Sequence, residues 1–408
     1  MLRTVMMNSR MLLLVLRGGA ATTSLLVTLV IGRAYGAAIL GQFALATLTA
    51  NLLANLAIAG MDGAMIRMVS VSIASGAMAQ ARGQVVVASR MVFATTTTAA
   101  GLLLTASFWL DVKALAIAAM ACPAIGMTRL LATALRASGD PAAPALLAGT
   151  LPSLTLLAML PLLGSTVNAL ATAFTGGWWV AVLSAWATYR ARLHGPATVD
   201  RSTMGALLRA GLPIGLATIS DAMTNWAVLT IVASALGAAE AGGMRVAMQL
   251  IGVVGLVLIA ADDALAPRLA VAIQRDDQAG ADDLLEQTRR WSLCLAGPML
   301  LVFAAIPARV LDSVGSGLDV GAPALRWLAV LNLASLFVGP AGTALAMGAA
   351  PRRYGELALA GLLVGAALGF ALIPILGVAG AGIALGGVVF LRRWLGRRTF
   401  TANRRPAM

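Results

Sequence analysis

Asp221 and Asn225 stand four residues apart in the otherwise apolar run Gly211–Trp226, with Thr218, Ser220 and Thr224 beside them. On a helix, Thr218, Asp221 and Asn225 share one face. A carboxylate about ten residues into a membrane span must face protein, water or a cation, because lipid offers it no partner. Two readings of Asp221, Thr224 and Asn225 stand: they line a transport cavity, or they hold two helices together. Asn51 and Asn55 repeat the spacing on another apolar run, with the same two readings. Arg17 stands ahead of Gly18, Gly19, Thr22, Thr23 and Ser24. A planar guanidinium there suits bidentate recognition of a phosphate or pyrophosphate, with Thr22 nearby. Its plainer role is to snorkel from a helix end to the membrane surface.

A second set of charges recurs at a fixed interval. Gly36, Ala37, Ala38, Gly41, Asp62 and Arg67 return as Gly237, Ala238, Ala239, Gly242, Asp263 and Arg268, each 201 residues on. Such an offset marks a duplicated unit. Asp62 with Arg67, and Asp263 with Arg268, are expected where the second and eighth spans reach the cytoplasm. They are read as helix-end charges and ion pairs, or as a gate.

These residues need a membrane scaffold. Of the 408 residues, 60% are hydrophobic and 11% charged, with long apolar runs throughout. A bilayer core about 30 Å thick takes roughly 20 apolar residues per helix. Twelve spans are expected, near 14–35, 42–65, 87–110, 113–134, 144–163 and 168–189, then 210–236, 242–266, 291–311, 323–347, 355–375 and 377–395. That gives an all-α integral membrane protein of two parallel-repeat six-helix lobes around a central cavity. The lobes are expected at 1–190 and 210–395, with a cytoplasmic linker at 191–209 and a basic tail at 396–408. The segment 268–290 reads as a short amphipathic surface helix or a solvated connector.

Charge sets the expected orientation. Of 29 Lys and Arg, 24 fall on the side that holds the termini or in the adjoining helix ends; only Arg33, Lys113, Arg245, Arg309 and Arg326 fall opposite. Basic loops stay in the cytoplasm, so both termini are expected there. In this setting the net charge of +13 does not point to nucleic acid. Cys122 and Cys294 lie in apolar spans and read as core residues. With His194 as the lone histidine, no metal site, cofactor or histidine triad is expected. No phosphate-binding glycine loop follows a strand, so the chain is not expected to be an ATP-driven machine or an enzyme.

The stretch Gly32–Ala46 followed by Asn55–Arg67 resembles the start of polysaccharide (Wzx-like) flippases of the multidrug/oligosaccharidyl-lipid/polysaccharide exporter superfamily. Ala264–Ala270 and Ile373–Ala384 are similar to later turns of that family. The resemblance implies alternating access that moves a polyprenyl-pyrophosphate-linked glycan outward. It also implies membrane lipids, glycosyltransferases and a polysaccharide polymerase as partners. Relatives often carry an Asp-Arg pair where Asn225 and Trp226 stand here, and many have two further C-terminal helices. A cation-coupled drug exporter of the same superfamily is the rival reading. A membrane glycosyltransferase or polymerase would need catalytic carboxylates or a large external loop.

Overall fold

In the computed structural model, residues 2–110, 112–164, 166–193, 195–200, 202–274, 277–340 and 351–402 are described. The described residues are almost wholly helical: α1 Leu2–Ile58, α2 Met61–Ala74, α3 Met78–Trp109, α4 Lys113–Ala119, α5 Cys122–Ala137, α6 Leu151–Leu163, α7 Val167–Arg192 and α8 Ser202–Ala235. The second half continues with α9 Ala238–Gln274, α10 Gln278–Ala305, α11 Pro307–Val314, α12 Ala322–Val338, α13 Pro351–Leu376 and α14 Val378–Ala402. Among the described residues ten helices are long and apolar enough to cross a bilayer, or eleven if α10 and α11, which meet at 92°, form one broken span. Gly36 breaks α1 (φ 82, ψ 170) into two lengths that can each span. The expected twelve spans are thereby accounted for, in a multi-pass membrane protein.

Several boundaries differ from expectation. The loop expected at 66–86 is largely helix, because α2 runs to Ala74 and α3 starts at Met78. The segment 268–290, expected as a short amphipathic surface helix or a solvated connector, is the end of α9 and the start of α10. Its apolar residues are spent on packing these two together: Leu265, Leu269 and Ala272 bury with Ala281 against Leu284 and Leu285. The linker is shorter than 191–209, since α7 runs to Arg192 and α8 starts at Ser202. Asp200 sets that start: Ser202 donates its N–H (3.0 Å) and its hydroxyl to the carboxylate, which holds Asp200 below the usual carboxylate range. Thr198 is tied to α3 through its N–H to Ala79 O at 3.0 Å. Of the two cysteines, Cys122 is buried and Cys294 exposed, so only the first is a core residue.

Contacts divide the chain into two units: residues 1–30 with 42–222, and residues 31–41 with 223–408. The division cuts across α1 and α8. In the first unit α5 is the central element, buried along most of its length from Cys122 to Leu135 and packed on α2, α3 and α7. Its partners supply side chains as small as Ala50, Ala54, Ala64, Ala88 and Ala185, which lets backbones come close where lipid gives no hydrophobic drive. In the second unit α14 packs on α12 and α13, with Gly382 placed against Ala324 O and Gly386 against the Leu331 side chain.

The repeated stretch folds back on its own copy inside the second unit. A Cβ on Gly41 would strike Ala238 O, and a Cβ on Gly242 would strike Ala37 O. Since Ala238 and Gly242 are the copies of Ala37 and Gly41, the contact is reciprocal. Both crossing helices therefore need glycine there.

Candidate functional site

The polar residues that converge are Asn51, Asn55 and Arg129 of α5. Arg129 lies eight residues, about 12 Å, before the end of α5 at Ala137. Its Nη2 donates to Asn51 Oδ1 at 3.0 Å, and its Nη1 donates to Asn55 Oδ1. Asn51 is fixed in turn by its own Nδ2, which donates to Thr47 O at 2.8 Å. The four-residue spacing of the asparagines thus serves one purpose, to present two amide oxygens to a single guanidinium. The signal in the sequence was the arginine inside the 113–134 span, matched to an asparagine pair that needed a donor.

Asp62 completes the surroundings. The helix breaks at Ala59 and Gly60, both at positive φ, and restarts as α2 at Met61. Ala57 O, which would otherwise accept within the helix, accepts from Thr95 Oγ1 of α3 at 3.0 Å. Gly60 passes so close to α8 that a Cβ on it would meet Gly211 O and lie 2.6 Å from Gly215 Cα. Asp62 then sits in the first turn of α2, where Gly63 N donates to Oδ1 at 2.9 Å and the helix start favours a carboxylate. The carboxylate lies within electrostatic reach of Arg129.

The expected pairing of Asp62 with Arg67 does not occur: among the described residues these two form no ion pair, and Arg67 is exposed. Asp62 marks the start of a helix and not the end of a span, because α2 continues twelve residues further, about 18 Å. In the copy, α9 runs unbroken past Asp263 and Arg268 to Gln274. The side chains of Arg17, Asp263 and Arg268 lie outside what the structure describes, as does His194.

The remaining expected site residues do not join this cluster. Thr22 is exposed and turns its hydroxyl back to Gly18 O of its own helix at 2.8 Å. Thr224 is buried, its methyl group 2.8 Å from where a Gly365 Cβ would be, so it fills the α8–α13 contact. Asn225 is half-buried and Asp221 is exposed. A second embedded arginine, Arg245 of α9, stands seven residues past Ala238, and among the described residues no hydrogen bond or ion pair reaches it. The sequence reading counted it with the external loops.

No family model and no curated protein matches the chain. Solved structures do match, over almost its whole length. An inward-facing multidrug resistance MATE family transporter of the MOP superfamily superposes with a TM-score of 0.70 at 16% identity, covering 97% of this chain and 96% of its own. The lipid II flippase MurJ, in an inward closed conformation, gives 0.76 at 11% identity, covering 97% and 88%. A MOP superfamily transporter from Pyrococcus furiosus, described as having a binding pocket of reversed polarity, gives 0.65 at 17% identity, covering 97% and 96%. The fold is that of the MOP-superfamily transporters. It is the two-lobe, twelve-helix plan expected from the repeat. At such identities the likeness carries the fold alone, so the substrate must be argued from side chains.

Proposed function

We propose that the chain is a MOP-superfamily flippase of the polysaccharide (Wzx-like) type. It moves a lipid-linked oligosaccharide or polysaccharide precursor with an anionic, pyrophosphate-bearing head across a bacterial inner membrane by alternating access. Arg129 carries the reading. An arginine embedded in a span costs about 3 kcal/mol. Two interhelical hydrogen bonds return only about 0.6 kcal/mol each. Its direct partners are neutral amides, so Arg129 is better explained by a charge it meets during transport than by stability. Asn51 and Asn55 hold the guanidinium plane still, and Asp62 tempers its charge in the empty state.

Physically, the acyl part of such a substrate stays in lipid while only the head needs a polar route. The excess of basic residues in the loops and ends on their side favours both termini in the cytoplasm. Glycosyltransferases that build the precursor and a polymerase that consumes it are the expected partners. A drug exporter for organic cations fits less well, because embedded arginines repel its cargo.

The test is reconstitution into vesicles. A fluorescent polyprenyl-pyrophosphate oligosaccharide should cross to the opposite leaflet with a rate that scales with protein. Transport of small cationic dyes with no movement of the lipid-linked glycan would replace this reading by the exporter.

A further inference from the structure

In the second unit the last turns of α12 and α14 enclose a groove of about 460 Å³, within the size range of small-ligand sites. Phe337, Val338 and Phe390 give it an apolar floor; Trp394, Arg397 and Arg398 form its charged end. Phe337 is 57% exposed, so the floor is a surface that needs an apolar cover. The Arg398 guanidinium lies 3.8 Å from the centre of the Trp394 ring, a cation–π contact that makes the two one wall. Arg397 Nη1 donates to Val338 O at 3.0 Å and fastens the α12 end to that wall.

The depth of this wall bears on its ligand. Arg397 stands nineteen residues, about 28 Å, past the start of α14 at Val378, close to the thickness of a bilayer core. Arg392 and Arg393 one to two turns earlier make the segment Leu391–Arg398 the most basic run of the chain. A tryptophan and arginines at that level belong to the membrane interface, and the charge rule makes it the cytoplasmic one. An apolar floor open to acyl chains beneath a basic end at headgroup level matches one ligand chemistry, an anionic phospholipid.

We propose that this groove is a binding site for an anionic phospholipid of the cytoplasmic leaflet, with the phosphate on Arg397 and Arg398 and an acyl chain along Phe337 and Phe390. The site is independent of what the protein transports.

Native mass spectrometry of the purified full chain, titrated with phosphatidylglycerol or phosphatidylcholine of the same acyl composition, tests it. The wild type should retain phosphatidylglycerol at about tenfold lower concentration than phosphatidylcholine. The double variant R397Q/R398Q should bind the two lipids within about twofold of each other. Phe337→Asp, which leaves both arginines in place, should weaken retention of both lipids. A wild type with no preference, or a double variant that keeps it, overturns the proposal. Displacement of the lipid by millimolar inorganic phosphate would mark a free-anion site and overturn it too. If the double variant does not fold, R398Q alone, which should reduce the preference at least threefold, decides the matter.

Discussion

Gly41 and Gly242 are 201 residues apart in the chain, and each sits where the helix of the other crosses it. A side chain on Gly41 would overlap Ala238 O and come within 2.8 Å of Gly242 N; one on Gly242 would overlap Ala37 O and approach Ala37 Cα at 3.2 Å. Because the obstructing atoms are backbone, neither contact can be relieved by rotating a side chain. Gly41→Ala and Gly242→Ala should each lower stability by about 1–3 kcal/mol, the range for overpacked sites. Gly101→Ala is the control: nothing lies within 4 Å of its would-be Cβ, and a helix interior favours alanine by up to about 1 kcal/mol. Thermal unfolding in one detergent compares the three. As the two crossing residues share one contact, the double variant should cost less than the sum of the single ones.

Arg129→Met should separate stability from transport. Methionine fills the space without a charge, and replacing an embedded ionic group by an apolar one is often neutral or stabilising. The variant should unfold within about 1 kcal/mol of wild type yet lose binding of the polyprenyl-pyrophosphate glycan, measured by titration of the purified protein. A large loss of stability with binding intact would make Arg129 a structural strut.

Asn51→Ala and Asn55→Ala each leave the guanidinium one acceptor short. A double-mutant cycle between Asn51 and Arg129 should return a coupling of about 0.6–1.7 kcal/mol. Zero coupling would mean that the hydrogen bond at 3.0 Å does not hold in the membrane.

The break after α1 gives a further prediction. Gly60→Ala places a side chain at φ 74 and against the Gly211 and Gly215 backbone, so it should destabilise by more than the roughly 1 kcal/mol of a simple glycine replacement. Thr95→Val removes the hydroxyl that satisfies Ala57 O at 3.0 Å. It should lower stability by no more than about 1 kcal/mol, because the single hydroxyl proton is shared with Met91 O at 2.9 Å and the bond is exposed. Both are read by thermal unfolding.

Much of the fold was legible in the sequence, because the bilayer leaves only apolar helices as a solution and small-residue turns such as Gly36, Gly164 and Gly377 mark where they reverse. The 201-residue offset also carried the duplication. The helix ends were less legible: α2 and the end of α9 continue as helix past the expected span ends at 65 and 266, and the start of α10 is a polar helix on which hydropathy is silent. Of the site, the asparagine pair was visible by spacing, but its partner was not. Arg129 stands near enough to the basic end of its span to be counted with Arg136, and only the packing of α5 against α1 separates them. Thr224 looked like a cavity residue because it shares a helix with Asp221, yet a neighbouring glycine, Gly365, makes room to bury it.

The most direct measurement is the rate at which a fluorescent polyprenyl-pyrophosphate oligosaccharide crosses vesicles holding equal amounts of wild type, Arg129→Gln and Asp221→Asn protein. The predicted result is flipping by wild type and a loss of at least tenfold in Arg129→Gln, with Asp221→Asn reduced less. Equal rates in Arg129→Gln and wild type would contradict the assignment of Arg129 as the residue that meets the anionic head.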